Sequence, residues 1–282
     1  MFNNTYFVKL SKRLYHKLYS PFEAIFRLNE TEKKGNFLKL TYCKILLSPK
    51  VQLPYELGRT IRGTKFDRSK DIYSKVVSEI LNNKSPDEVI KILYNEYQDF
   101  EQKSVLDINN FLTSSKIISY PSWLMVLPWD NSDVTTMKKN YLLSFYKNRS
   151  ENGMSFIDKT LEHFEKKIFS YDTAKSHVNQ FERLINKIKD QGYIENNYDY
   201  PKAVILIKDD KWRWIMSSSG NHRAHIKKEL TYSYINCKVS GVVNFSKLHR
   251  LKNVVNGIFN EKEAAILFDN VFNGEVPVRG PI

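Results

Sequence analysis

A chain of 282 residues with 41% apolar and 13% aromatic residues has the length and the apolar content for one large domain or two modest ones, and an intrinsically disordered chain is excluded. Its 44 Lys and Arg stand against 31 Asp and Glu, and the resulting +13 at pH 7 predicts an anionic partner: nucleic acid, a membrane surface or a phosphorylated ligand. The two cysteines, Cys43 and Cys237, lie far apart and form no CxxC pair, so a disulfide framework or thiolate zinc site is excluded, and free thiols in a reducing cytosol are expected.

From the N-terminus, residues 1–50 carry ten Lys or Arg against Glu23, Glu30 and Glu32, so +7 of the net charge sits here. Leu10, Leu14 and Leu18 recur at i+4, flanked by Lys9, Lys12, Arg13 and Lys17. Residues 8–22 therefore read either as a basic amphipathic helix in peripheral contact with an anionic membrane or as a surface helix docked on the body. No apolar stretch with a small-residue cleavage site follows, so no secretory signal is expected. Residues 36–47 read as a strand.

Ser85-Pro86-Asp87-Glu88 predicts a helix start with a capping box, and Val89, Ile92, Leu93 and Tyr97 carry the helical period to about Phe100. The strongly apolar run 117–129 contains Pro121 and Pro128 and falls short of the roughly 20 residues of a membrane-spanning helix. Its Trp123 and Trp129 predict either a rigid buried corner or an aromatic shelf facing a ligand. A helix capped near Ser132 or Asp133 follows over 133–149, with Gly153 ending the next turn.

The final third is sharper. Phe181, Leu184, Ile185 and Ile188 predict a helix ended by Gly192 in a left-handed cap. Residues 203–207 read as a buried strand, Asp209-Asp210 as a turn, and Trp212, Trp214 and Met216 as the alternating face of a second strand. Ser217-Ser218-Ser219-Gly220-Asn221-His222-Arg223 then leads into a helix, and residues 234–239 into another strand. A small-residue loop opening a helix suits an anion, because backbone N–H groups point outward there and glycine admits close approach. Arg223 can fork onto two phosphate oxygens and His222 can donate or shuttle a proton. The plainer alternative is a capped loop with a solvated arginine. Asn253 to Gly257, together with the Asn260–Glu263 capping box and the Leu267, Phe268, Val271 and Phe272 face, read as one packing helix.

The order helix–Gly–strand–hairpin–strand–Gly-X-His-Arg–helix–strand over about 172–240 resembles the ParB/sulfiredoxin superfamily, with sulfiredoxin-like and free-serine-kinase-like members nearest. The resemblance implies an α/β fold: a small mixed sheet with helices over 161–282, preceded by a mainly helical region over 1–160 with its basic arm. It implies a nucleotide- or phosphate-binding loop at Ser217, Ser218, Ser219, Gly220, Asn221, His222 and Arg223. ATP or ADP, with Mg2+, is the implied cofactor. It also implies phosphotransfer to a small molecule or glycan precursor, with His222 and Glu182, from the helix before the sheet, as catalytic candidates. Asn221 stands where sulfiredoxin has its reactive cysteine, and Ser219 where the kinase-like members have an aspartate. Segments 120–153 and 253–272 resemble uncharacterised bacterial relatives that accompany surface-polysaccharide genes. The expected location is cytoplasmic, peripheral to the inner face of the membrane if the basic arm binds it. DNA binding or nuclease action, and a non-catalytic scaffold, are the alternatives.

Overall fold

The computed structural model describes residues 26–27, 50–113, 116–130, 132–151, 162, 165, 168–192, 200–217 and 220–280. The basic stretch 8–22, the strand expected at 36–47, Gly153, Ser218 and Ser219 lie outside them.

The described strands are β1 (Phe26–Arg27), β2 (Lys50–Pro54), β3 (Gly58–Arg59), β4 (Lys202–Lys208), β5 (Lys211–Met216) and β6 (Tyr234–Asn244). They form one mixed sheet in the order β1-β2-β6-β4-β5-β3. The β4–β5 hairpin turns at Asp209, whose φ of 54° suits the turn chemistry of aspartate. β6 runs parallel to β4 and antiparallel to β2, while β3 closes the far edge parallel to β5. The sheet thus takes strands from both ends of the chain; β2 and β3 arise in a region whose sequence reads as mainly helical.

Helices follow as α1 (Ile72–Leu81), α2 (Pro86–Glu101), α3 (Val105–Ile108), α4 (Val134–Glu151), α5 (Tyr171–Gln191), α6 (Asn221–Glu229), α7 (Lys252–Val255) and α8 (Glu261–Asn273). Most obey their expected signals. Asp133 caps α4 by accepting from the Thr136 N–H at 2.7 Å, and Asn260 with Glu263 forms the expected capping box of α8. Three expectations need correction. At α2 the Ser85 hydroxyl donates to Glu88 at 2.6 Å instead of capping the backbone, so the box does not close. Gly192 has φ 72° but ψ 176°, a region that glycine enters for want of a Cβ, and not the left-handed helical cap. The expected single C-terminal helix is two, α7 and α8, separated at Gly257 with φ 66°.

Both faces of the sheet are covered. Strand alternation sends Leu206, Ile215 and Val243 into a core shared with the helices, where α2 contributes Val89, Leu93 and Tyr97 and α5 contributes Val178, Phe181 and Ile185. Each such buried side chain contributes about 1.5–3 kcal/mol. The opposite face sends Leu53, Ile205, Trp214 and Cys237 into a second core closed by Tyr55 and Phe66. Trp214 donates its indole N–H to the Pro54 carbonyl at 2.7 Å, and its ring lies where a Cβ on Gly58 would come within 2.5 Å. The Pro-Trp segment is a buried corner: Trp123 meets Tyr141 at a tilt, ring centroids 5.2 Å apart, and Trp129 meets Phe268 edge-on. Among the described residues, no helix is long and apolar enough to cross a membrane.

Arg59 joins the sheet edge to the last helix. It is 2% exposed and donates to the Val271 carbonyl at 3.1 Å, the Phe272 carbonyl at 2.5 Å and the Gly58 carbonyl at 2.7 Å. The carbonyls at the C-terminus of α8 have no helical donors, and the negative end of the helix dipole favours a cation there. Burial, with Arg213 nearby, brings the guanidinium down to about 10, so it is charged at neutral pH. Replacing Arg59 by Leu leaves those carbonyls buried without donors, and a loss of about 3 kcal/mol is expected in urea unfolding.

Candidate functional site

The loop after β5 is fixed from both sides. The Ser217 N–H donates to the Lys202 carbonyl at 2.8 Å, and the Lys238 N–H donates to the Pro201 carbonyl at 2.8 Å. Gly220 then takes φ 83°, ψ 8° as the residue preceding α6. A Cβ at this position would lie 2.6 Å from Cβ and Cγ of Pro201, so glycine is required by both conformation and space. The Ala224 N–H closes the first helical bond on the Gly220 carbonyl at 2.9 Å. Gly220 supplies no side-chain cap, whereas Asp71, Ser104, Ser170 and Asn260 each cap their own helices.

Positive charge surrounds this loop. Lys202 and Lys238 are in direct register across the parallel β4–β6 pair, and Lys50 is in register with Lys238 across β2–β6. Because Ala203, Cys237 and Val239 enter the second core, Lys202 and Lys238 share the opposite face. Like charges opposite one another repel, and an anion beside them removes the repulsion. Arg223, half-buried in the first turn of α6, adds a fourth cation.

His222 is held by rings. Its imidazole lies 4.6 Å from Phe181, 5.4 Å from His177 and 5.8 Å from Tyr73, centroid to centroid. His177 is in turn hydrogen-bonded through Nδ1 to the Tyr97 hydroxyl. The cluster therefore gathers α1, α2, α5 and α6 around the helix that starts at the loop. Glu182 is half-buried on α5 and lies about 100° around the helix from Phe181, which makes the ring contact. The sequence singled out His222, Glu182 and the loop. It gave no part in the site to His177, Tyr73 or Tyr97, although His177 and Phe181 at i and i+4 on one helix were a readable signal.

Beneath the loop runs a buried polar chain. Asp71 caps α1 by accepting from the N–H groups of Tyr73 and Ser74 at 3.0 and 3.3 Å. Its other oxygen accepts from the Thr64 hydroxyl at 3.2 Å. Ser74 Oγ lies 3.0 Å from His225 Nδ1, and His225 Nε2 lies 3.2 Å from Asn221 Oδ1. The His225 ring is fully buried against Phe66 and Tyr73.

Among the described residues, no group of three or more His, Cys, Asp or Glu is placed to hold a metal ion.

Burial pushes the His225 imidazole below its ordinary 6.5; Asp71 pulls it back up and Arg62 pushes it further down. Below pH 6.5 the unfolded chain takes up a proton that the folded ring refuses, so acid favours unfolding. Melting temperature should therefore fall as pH drops from about 7 toward 5, and His225→Gln should flatten that limb. Gly220→Ala should lower stability by about 2 kcal/mol or more, seen as a lower urea midpoint. No protein-family model, curated protein or solved structure matches the chain.

Proposed function

We propose that the protein binds the phosphate groups of a nucleotide, ATP or ADP, at the loop from Ser217 to Arg223. The observation that carries this reading is Gly220, held left-handed against Pro201 at the start of α6 without a side-chain cap. Such a start offers backbone donors and the positive end of a helix to an anion. Arg223 and the in-register Lys202–Lys238 pair supply the charge that a multiply phosphorylated ligand requires.

The observed order α5, β4, β5, loop, α6, β6 is also the order implied by the resemblance to the ParB/sulfiredoxin superfamily, which supports the same reading. On that resemblance, the chemistry is phosphotransfer to a small molecule or surface-glycan precursor. His222 and Glu182 are its candidate proton-handling groups. The ring contacts around His222 fix its orientation, as proton transfer at a defined atom requires.

DNA binding is the second reading, and the net charge of +13 favours it. The two differ in salt dependence, because release of many counterions makes duplex binding fall steeply with salt.

Calorimetry with ATP, ADP and CTP, with and without Mg2+, tests the first reading. Wild type should bind, and Arg223→Ala should weaken binding by about 10- to 100-fold, the loss of a charge-assisted pair. No nucleotide binding by the wild type overturns it, and a steeply salt-dependent gel shift then favours DNA.

A further inference from the structure

Residues 230–260 contain no Asp or Glu, and within them Lys247, His249, Arg250 and Lys252 cluster in sequence. They form one corner of the fold, where a 3-10 helix over Phe245–Arg250 leads through Leu251 into α7. All four side chains are exposed. Among the described residues, no carboxylate pairs with Lys247, His249 or Arg250. Arg250 donates through Nε to His249 Nε2 at 3.3 Å, and Lys252 lies close enough to Asp133, at the start of α4, to act on its carboxyl. The corner sits at the far end of the sheet from the Gly220 loop: Ile207 pairs with Asn244 beside it, whereas Lys202 pairs with Lys238 beside the loop.

Burial on this corner is inverted. Asn253 is fully buried; its side-chain amide donates to the Leu127 carbonyl at 2.8 Å and the Asp130 carbonyl at 3.3 Å. Its backbone N–H reaches the Pro128 carbonyl at 3.3 Å. Leu248 anchors the preceding turn in the helix-side core. Val255, two residues after Asn253, is 69% exposed, the most of any large apolar side chain described. The polar residue is therefore held inside and the apolar one outside by fixed bonds. Lys252 and Val255, at i and i+3 on α7, are neighbours on its surface.

Charge and shape together select the partner. A solitary exposed valine is ordinary on a protein surface. One beside exposed, unpaired cations has the chemistry of an interfacial contact, in which cations meet lipid phosphates and the apolar group enters between headgroups. A nucleic-acid backbone answers the charge but offers the valine nothing.

We infer that the corner from Lys247 to Val255 is a docking surface for an anionic lipid bilayer. Lys247, Arg250 and Lys252 contact the headgroup phosphates, and Val255 enters the interface. The inference is independent of the nucleotide reading and of the basic stretch 8–22.

Co-sedimentation of the full chain with vesicles tests it, using phosphatidylcholine alone and equal parts phosphatidylcholine and phosphatidylglycerol. Wild type should pellet with the anionic vesicles only, and less as salt rises. The triple variant Lys247→Gln, Arg250→Gln, Lys252→Gln should partition about 100-fold more weakly, since each cation near such a surface contributes about fivefold. Val255→Ser should weaken partitioning about fivefold and Val255→Leu strengthen it about threefold. The substituted side chains are exposed, so melting temperatures should match that of wild type. No pelleting of wild type with anionic vesicles at low salt overturns the inference. Equal pelleting of wild type and the triple variant also overturns it and places the binding on another surface. Partitioning that ignores both Val255 substitutions removes the bilayer as the partner. A gel shift with duplex DNA that the triple variant loses, while vesicles leave wild type in solution, makes nucleic acid the partner instead.

Discussion

Asp71 is the residue on which the arrangement turns. One carboxyl group, buried at the start of α1, satisfies the open N–H groups of that helix, receives the Thr64 hydroxyl and stands beside the His225 ring. Three segments distant in the chain, the turn at 60–64, α1 and α6, therefore share one small polar centre between two apolar cores. The turn extends this arrangement. Arg62 reaches Glu96 on α2 at 3.0 Å and lies over the Phe100 ring, while its carbonyl receives the Val278 N–H at 2.9 Å. With Arg59 bound to the end of α8, the segment around 58–66 touches nearly every layer of the protein.

That construction explains why a nine-residue helix of weak amphipathic character occupies a definite place. α6 contributes Ala224 to one core and Ile226 to the other, and its orientation is set by polar and aromatic contacts. His222 is bracketed by Phe181 and His177, and His225 by Phe66 and Tyr73. A rotation of the helix about its axis would break both sets together. The first turn of α6 thus has little freedom.

Much of this was readable along the chain. Local signals placed α2, α4, α5, the β4–β5 hairpin and the start of α6 within a few residues, because caps, prolines and periodicity act within one turn or one strand. The loop at Gly220 was visible for the same reason. β2 and β3 were not. Lys50–Pro54 includes Gln52 and a proline, and Gly58–Arg59 is two residues long; each is a strand only because β6 or β5 lies beside it. The ring cluster and the polar chain through Asp71 were hidden for a similar reason. Tyr73, Tyr97, His177 and His222 lie on four helices, and nothing near Ser74 in sequence announces a histidine 151 residues away. Residue types carry chemistry, whereas their meeting is a property of the tertiary fold.

The bonds of Arg59 have a consequence in time. Its carbonyl acceptors on α8 lie 212 and 213 residues downstream, and the β5 partner of its strand is also far along the chain. During synthesis, the segment around Arg59 leaves the ribosome long before either exists. α1 and α2 can pair at once because they are neighbours, but the sheet edge and its buried guanidinium must wait for nearly the whole described chain. Long-range closure of this kind is slow, and until α8 arrives, Arg59 remains a hydrated surface cation. The last helix is therefore the element that converts it into an interior one.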